Sequence, residues 1–413
     1  MKNVVILAIL FLIFLQAPGS FAGAADDLTL EQAIDMALNQ NPDILAAQTE
    51  ILVSQGRRLQ LQAFPQPQII LSDEGIPFNS GHNAKNEKEI SFGIEQPFEF
   101  PGKLSLRGKI GQFGEKIAAY ELARVHLLVT ARVKGAYYKA VLSNKAISAL
   151  AETAKLLDEF IASATAKYQS GGGLYLDVLR ARVEKTRLQN ELIEARKDLL
   201  LNKAHLNLLL GRKGDEPLDL RTELSYAPLA RDLLAIQEEA IKTRPSVQIA
   251  SLKLEQAQAG LKLAQKGKLP DFAVGLYTPS LRTGSWGFSL AVSVPLYWWK
   301  KQKGEILESE AKKEIEAISV RAVERRIMTR IGEAYAAVKS SEEQVKVFET
   351  KLLAEVEDEV KISIIQYQYG KTDALNILDI TRTYLTTKLE HLKSLYLYLV
   401  SLSDLDQAGE EYE

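Results

Sequence analysis

The sequence predicts a mainly α protein with a small β part, laid out twice along a chain of 413 residues. Three observations carry that reading. From Ser285 to Trp299 the chain reads S-W-G-F-S-L-A-V-S-V-P-L-Y-W-W. Phe288, Leu290, Val292 and Val294 alternate there with Ser289, Ala291 and Ser293, the period of a strand with one apolar and one small or polar face, and Pro295 is expected to end it. A near twin lies earlier, where Ile90, Phe92 and Ile94 alternate with Glu89, Ser91, Gly93 and Glu95, and Pro97 is expected to close the run before Phe98, Glu99 and Phe100. Each strand leads into a very long charged stretch of helical period.

At the N-terminus, Lys2 precedes an apolar run from Val4 to Leu15, then Pro18, Gly19, Ser20 and the small residues Ala22, Gly23 and Ala24. The run is too short to span a bilayer as a helix, so residues 1–24 read as a cleaved secretory signal. The mature chain then starts near Ala25, with cleavage after Ala22 as the competing site. The chain has no cysteine, which excludes a lipid-carrying N-terminal Cys, a disulfide framework and thiolate chemistry. No later apolar run reaches about 18 residues, so any membrane crossing falls to strands. Charged residues are 25% of the chain and nearly cancel, at a formal charge of -2. Nothing in that balance points to nucleic acid.

The first unit covers 25–223. Leu28–Asn39 carries Thr29 as N-cap with Gln32 three residues on, a capping-box spacing, and Pro42 ends this helix and opens another that runs to about Ala63. A hairpin over about 67–97 follows, its connection 76–88 rich in turn formers. After Pro101 and Gly102 no proline occurs until Pro217. The helix over about 103–169 would be roughly 100 Å long at 1.5 Å per residue. Ser170, Gly171, Gly172 and Gly173 break it, and a return helix covers about 175–210. That return helix and the one at Pro42 together nearly match the long one, so the two are expected to stack end to end beside it.

The second unit covers 224–413. A-L-N-Q-N-P at Ala37–Pro42 matches A-I-K-T-R-P at Ala240–Pro245, and A-F-P at Ala63–Pro65 matches K-L-P at Lys268–Pro270. A hairpin over about 271–295, a long helix over about 303–366 and a return helix over about 375–405 complete it. Ala334-Tyr335 stands where Ala136-Tyr137 stood, and Y-Q-Y-G-K-T-D-A-L-N-I-L at Tyr367–Leu378 parallels Y-Q-S-G-G-G-L-Y-L-D-V-L at Tyr168–Leu179. Matches at both ends and in the middle indicate duplication.

Two strands per unit give four per chain, and a four-stranded sheet facing lipid leaves two unpaired edges with no water to satisfy them. The membrane part must therefore close by oligomerisation. The order of paired short helices, hairpin ending in Q-P or V-P, long helix and Y-x-x-G tip, given twice, resembles the TolC-like outer-membrane efflux family over essentially the whole mature chain. The stretch E-Q-P-F-E-F-P-G-K from Glu95 to Lys103 is most similar to its heavy-metal efflux branch. The resemblance implies a homotrimer whose twelve strands, four from each protomer, form one β-barrel through the outer membrane of a Gram-negative-type bacterium. That barrel would be continuous with a long periplasmic α-helical barrel. It also implies a role as exit duct of a tripartite pump, with a periplasmic adaptor and an inner-membrane transporter as partners, and the likeness to the heavy-metal branch implies heavy-metal cations as its cargo. The rival reading is a secreted helical adaptor or coiled-coil scaffold without channel activity.

The resemblance places the gate at the second helix reversal. There the family pattern puts pore-facing aspartates, and this chain has Asn376 and Asp379, with Lys371 nearby; a solvated helix residue is the plainer reading of Asp379. Asp177 in the first reversal is expected either to cap the return helix or to touch a neighbouring chain. Tyr168, Gly171, Tyr367 and Gly370 are expected adaptor contacts, the glycines serving also as left-handed turn residues. Pro97, Phe98, Phe100, Pro295, Tyr297, Trp298 and Trp299 suit a barrel junction and aromatic belt, or a packed transition between the two barrels. Enzymatic readings find no support. Gly370-Lys371-Thr372 lacks the glycine-rich phosphate cradle, and His82, His126, His205 and His391 show no ligand spacing. No catalytic residue, cofactor or metal ligand is expected.

Overall fold

The computed structural model describes residues 27–74, 89–221, 223–278, 284–294, 300–348 and 352–410. The expected signal segment, Pro295, Tyr297, Trp298 and Trp299 lie outside them. Helices dominate: α1 (Leu30–Gln40), α2 (Pro42–Gln62), α3 (Lys103–Gln169), α4 (Tyr175–Leu209), α5 (Leu233–Thr243), α6 (Pro245–Lys266), α7 (Lys300–Phe348), α8 (Leu352–Gln368) and α9 (Ala374–Gln407). Among the described residues six strands accompany them: β1 (Asp27–Leu28), β2 (Gln68–Glu74), β3 (Glu89–Phe98), β4 (Asp219–Leu220), β5 (Asp271–Thr278) and β6 (Gly287–Ser293).

α1 begins as its sequence requires, with both bonds of the capping box between Thr29 and Gln32 in place. α2 and α4 both pack along α3, and Asn41 at the start of α2 donates from Nδ2 to Leu209 O at the end of α4, 2.8 Å away. Two shorter helices thus lie end to end beside one of 67 residues. The second unit repeats the plan, with α6 and α9 against α7. There the expected single helix over 303–366 is described as two segments, α7 and α8.

Two features escape the sequence pattern. β1 and β4 form a short parallel pair, Asp27 opposite Asp219 and Leu28 opposite Leu220. The linker after β4 carries Leu224 into the core of both units, so it ties them together. A third core sits at the helix reversals, built from Phe160, Val178, Tyr367, Ile377 and Tyr384.

The four long strands make one antiparallel sheet in the order β2-β3-β5-β6, the two hairpins joined through β3 and β5. Pro97 does not end β3: it pairs with Ala273, and Phe98 pairs with Phe272 and stacks on it with ring centroids 5.5 Å apart. The reason is local. Pairing with β2 stops at Glu95 opposite Gln68, so beyond Glu95 one side of β3 has no ladder for a missing N–H to interrupt. Ile69, Leu71, Ile94, Leu276, Phe288, Leu290 and Val292 share one face of this sheet by register, each more than half exposed. That face is an apolar surface that nothing among the described residues covers.

The sheet is fastened to the helices by the residues of the E-Q-P-F-E-F-P-G-K stretch. Asp271 Oδ1 accepts from Phe100 N at 2.7 Å and from Lys103 Nζ at 2.8 Å. The buried Lys103 ammonium also donates to Leu269 O at 3.0 Å, and Arg107 pairs with Glu99 at 2.7 Å. In this chain the stretch works as a corner piece.

Candidate functional site at the helix reversals

The reversal α3–α4 and the reversal α8–α9 lie side by side at one end of the molecule, sharing the core around Phe160 and Tyr367. Each turns on a glycine with positive φ, 78° at Gly171 and 70° at Gly370, a conformation that side chains with a Cβ rarely adopt. Behind each glycine the helix closes with the same reverse bonds, Gly172 N to Lys167 O at 3.0 Å and Lys371 N to Gln366 O at 2.9 Å. The outgoing helices differ. Asp373 caps α9 by accepting from Asn376 N at 2.8 Å, while α4 starts at Leu174 with no side-chain cap.

Three links cross between the reversals. Lys167 Nζ donates to Tyr367 O at 2.7 Å and sits 4.2 Å from the Tyr367 ring centre, placing positive charge at the carboxyl end of α8. Tyr367 Oη donates to Asp177 Oδ2 at 2.9 Å; burial first, and then Asp177, push that phenol well above its usual range. Arg382 forks onto Glu184, at 2.8 Å from Nε and 2.5 Å from Nη2. The Arg382 hydrogen bond holds the Glu184 carboxyl below the ordinary carboxylate range.

These links revise two expectations. Asp177 does not cap α4; it receives the Tyr367 hydroxyl from the other reversal of its own chain. Tyr367 is only 2% exposed, so it braces this end from inside and does not fit a contact role. Tyr168, Gly171, Gly370 and Lys371 are exposed, joined at the surface by Leu174, Tyr175 and Tyr369. Asn376 and Asp379 are exposed as well, on a groove of about 730 Å³ between the first turns of α4 and α9. Leu176, Leu179, Val183 and Leu375 supply its apolar wall, and Arg180, Glu184, Asp373 and Arg382 its charges.

The sequence reading missed Lys167, Glu184, Asp373 and Arg382. Asp373 had a local signal, an acid immediately before a helical run. The other three are partners across about 200 positions of sequence, which no local pattern displays. Pro97 and Phe98 lie at the opposite, sheet end, where Phe98 is half-buried.

An exposed apolar sheet with open edges, carried on long paired helices that reverse over a charged groove, defines a class of protein anchored in a membrane through its strands. The chain belongs to the outer membrane efflux protein family, whose model matches residues 33–212 and 236–409. Its place is the outer membrane. It is 21% identical over 373 residues to the cobalt-zinc-cadmium resistance protein CzcC of Cupriavidus metallidurans, covering 89% of this chain and 87% of that one. The fold is shared with CusC, a structure solved to follow folding and transmembrane channel formation, at a TM-score of 0.75 and 17% identity over 94% of both chains. It is shared also with the open outer membrane channel MtrE of Neisseria gonorrhoeae, at a TM-score of 0.75 and 17% identity over 92% of this chain and 88% of that one.

Proposed function

We propose that three copies of this chain form a passive exit duct of a tripartite efflux pump, fed by a periplasmic adaptor and an inner-membrane transporter. One observation carries the reading: among the described residues the β2-β3-β5-β6 sheet has an uncovered apolar face and two unpaired edges, β2 and β6. In hydrocarbon such edges are tolerable only if they pair with other copies into a closed barrel. The helices then extend the tube into the periplasm, and the reversals form its far mouth.

In this reading Asp379 and Asn376 line the narrow end of the pore, where three Asp379 carboxylates concentrate cations. Tyr168, Gly171 and Gly370 offer the surface on which an adaptor docks, and Phe98 and Phe100 lie near the membrane boundary. The likeness to CzcC supports metal cations as cargo that passes through. Among the described residues, no group of three or more His, Asp or Glu could hold a metal ion.

The test is single-channel recording of the purified, detergent-solubilised protein in planar bilayers, beside Asp379→Asn. The duct reading expects a trimer by light scattering and a cation-preferring conductance that weakens its preference in the variant. A monomer soluble without detergent would sink the reading.

A further inference from the structure

We infer that Glu95 sets cation preference inside the β-barrel itself, a second determinant separate from the helix reversals. The inference rests on the duct reading above. With Ile69, Leu71, Ile94, Leu276, Phe288, Leu290 and Val292 turned to lipid, the alternate residues of each strand face the lumen. By register one lumen row runs Gln68, Glu95, Gly275, Ser289, and the next runs Ile70, Gly93, Tyr277, Gly287.

In both rows the positions next to Glu95 and Tyr277 on the neighbouring strands include close-packed glycines, Gly275 beside Glu95 and Gly93 and Gly287 beside Tyr277. A Cβ on Gly275 would stand 2.5 Å from Ser289 Oγ, and one on Gly93 would stand 2.9 Å from Tyr277 Cβ. A Cβ on Gly287 would meet the Tyr277 ring at 3.3 Å, so that ring lies along the wall against the glycine. Glu95 therefore has glycine opposite it on β5, at Gly275, and two positions before it on its own strand, at Gly93.

Its charge is also uncompensated. None of the four strands contains Lys or Arg. Asp271 on the same face is matched by Lys103 at 2.8 Å, whereas among the described residues no hydrogen bond or ion pair engages the Glu95 carboxylate. Three such carboxylates around a water-filled lumen with low-dielectric walls raise the local cation concentration and lower that of anions.

The chain has no cysteine, so Ser289→Cys places a unique thiol in the Glu95 row, two strand spacings or about 10 Å away. The trimer in detergent at low salt is labelled with a cationic and with an anionic methanethiosulfonate, with Glu95 intact or as Glu95→Gln. One charge at about 10 Å in water changes a monovalent ion's local concentration about twofold, so the cationic-to-anionic rate ratio falls about fourfold in Glu95→Gln. Gln68→Cys, on the other side of Glu95, is the second reporter if the first variant folds poorly. An unchanged ratio overturns the inference, as does a thiol that reacts with a membrane-permeant maleimide but with neither charged reagent. Labelling requires no conduction. A trimer that shows the ratio change yet passes no current in bilayers would retain the Glu95 assignment and fail the passive-duct reading.

Discussion

Where α1 hands over to α2, one neutral amide does two jobs. Asn41 caps α2 by accepting from Asp43 N at 2.9 Å and holds the end of α4 through Leu209 O at 2.8 Å. At the matching handover from α5 to α6, the position is Arg244, which cannot cap. Arg244 donates to Leu405 O at 3.1 Å and to Asp406 O, at the end of α9. Capping passes to Glu410, near the chain's end, whose Oε2 accepts from Ser246 Oγ at 2.6 Å and Ser246 N at 3.2 Å. Burial raises the Glu410 carboxyl and lowers the Arg244 guanidinium from their ordinary values. The two handovers keep one geometry with different chemistry, and of the two only the second uses buried charge, from Arg244 and Glu410.

That contrast can be broken most strongly at Glu410. Glu410→Ala leaves α6 uncapped and the Arg244 charge without its facing carboxylate, and should cost about 3 kcal/mol in denaturant melts. Asn41→Ala removes two neutral bonds at a buried position and should cost about 2 kcal/mol. If Asn41→Ala proves the more damaging, the contrast between the units is misread.

Acidity sharpens the same comparison. A carboxyl whose folded pKa is raised contributes stability that is full at low pH and is lost as pH rises through the folded value. The melting temperature of the parent relative to Glu410→Gln should therefore fall as pH rises from about 4.5. At the helix reversals the sign is opposite: Glu184 is lowered by Arg382, so its contribution is present above about pH 4.5 and fades as pH falls below it. Glu184→Gln should flatten that acid limb. The smallest effects belong to the reversals. Tyr367→Phe deletes the bond to Asp177 and should cost about 1 kcal/mol. Arg382→Gln breaks a half-exposed pair and should cost under about 1 kcal/mol. Both are read by thermal melts.

The helices were legible from residue order because their signals are local. Thr29 and Gln32, Pro42, the glycines at 171 and 370, and the long interval without proline each act through neighbours within a turn or two. Strand alternation was equally legible, and it exposed the apolar face that requires lipid. Where β3 ended was not legible, because Pro97 is tolerated or forbidden according to whether β2 still pairs alongside it. The candidate site was half legible. Asp379, Asn376 and the turning glycines stand in a recognisable run, but Asp177 took its partner from another reversal.

Sequence alone determined the duplicated plan, the caps and breaks of most helices and the four strands whose sheet has two edges to satisfy. These follow from periodicity and from the cost of unpaired backbone in hydrocarbon. Tertiary structure decided which charges meet: Lys167 with Tyr367, Glu184 with Arg382, Lys103 with Asp271 and Glu410 with Ser246. Those pairs join residues 164 to 200 positions apart along the chain, and among the described residues Glu95 has no such partner. Distance along the chain carries no record of such meetings, because they depend on how whole helices and strands pack.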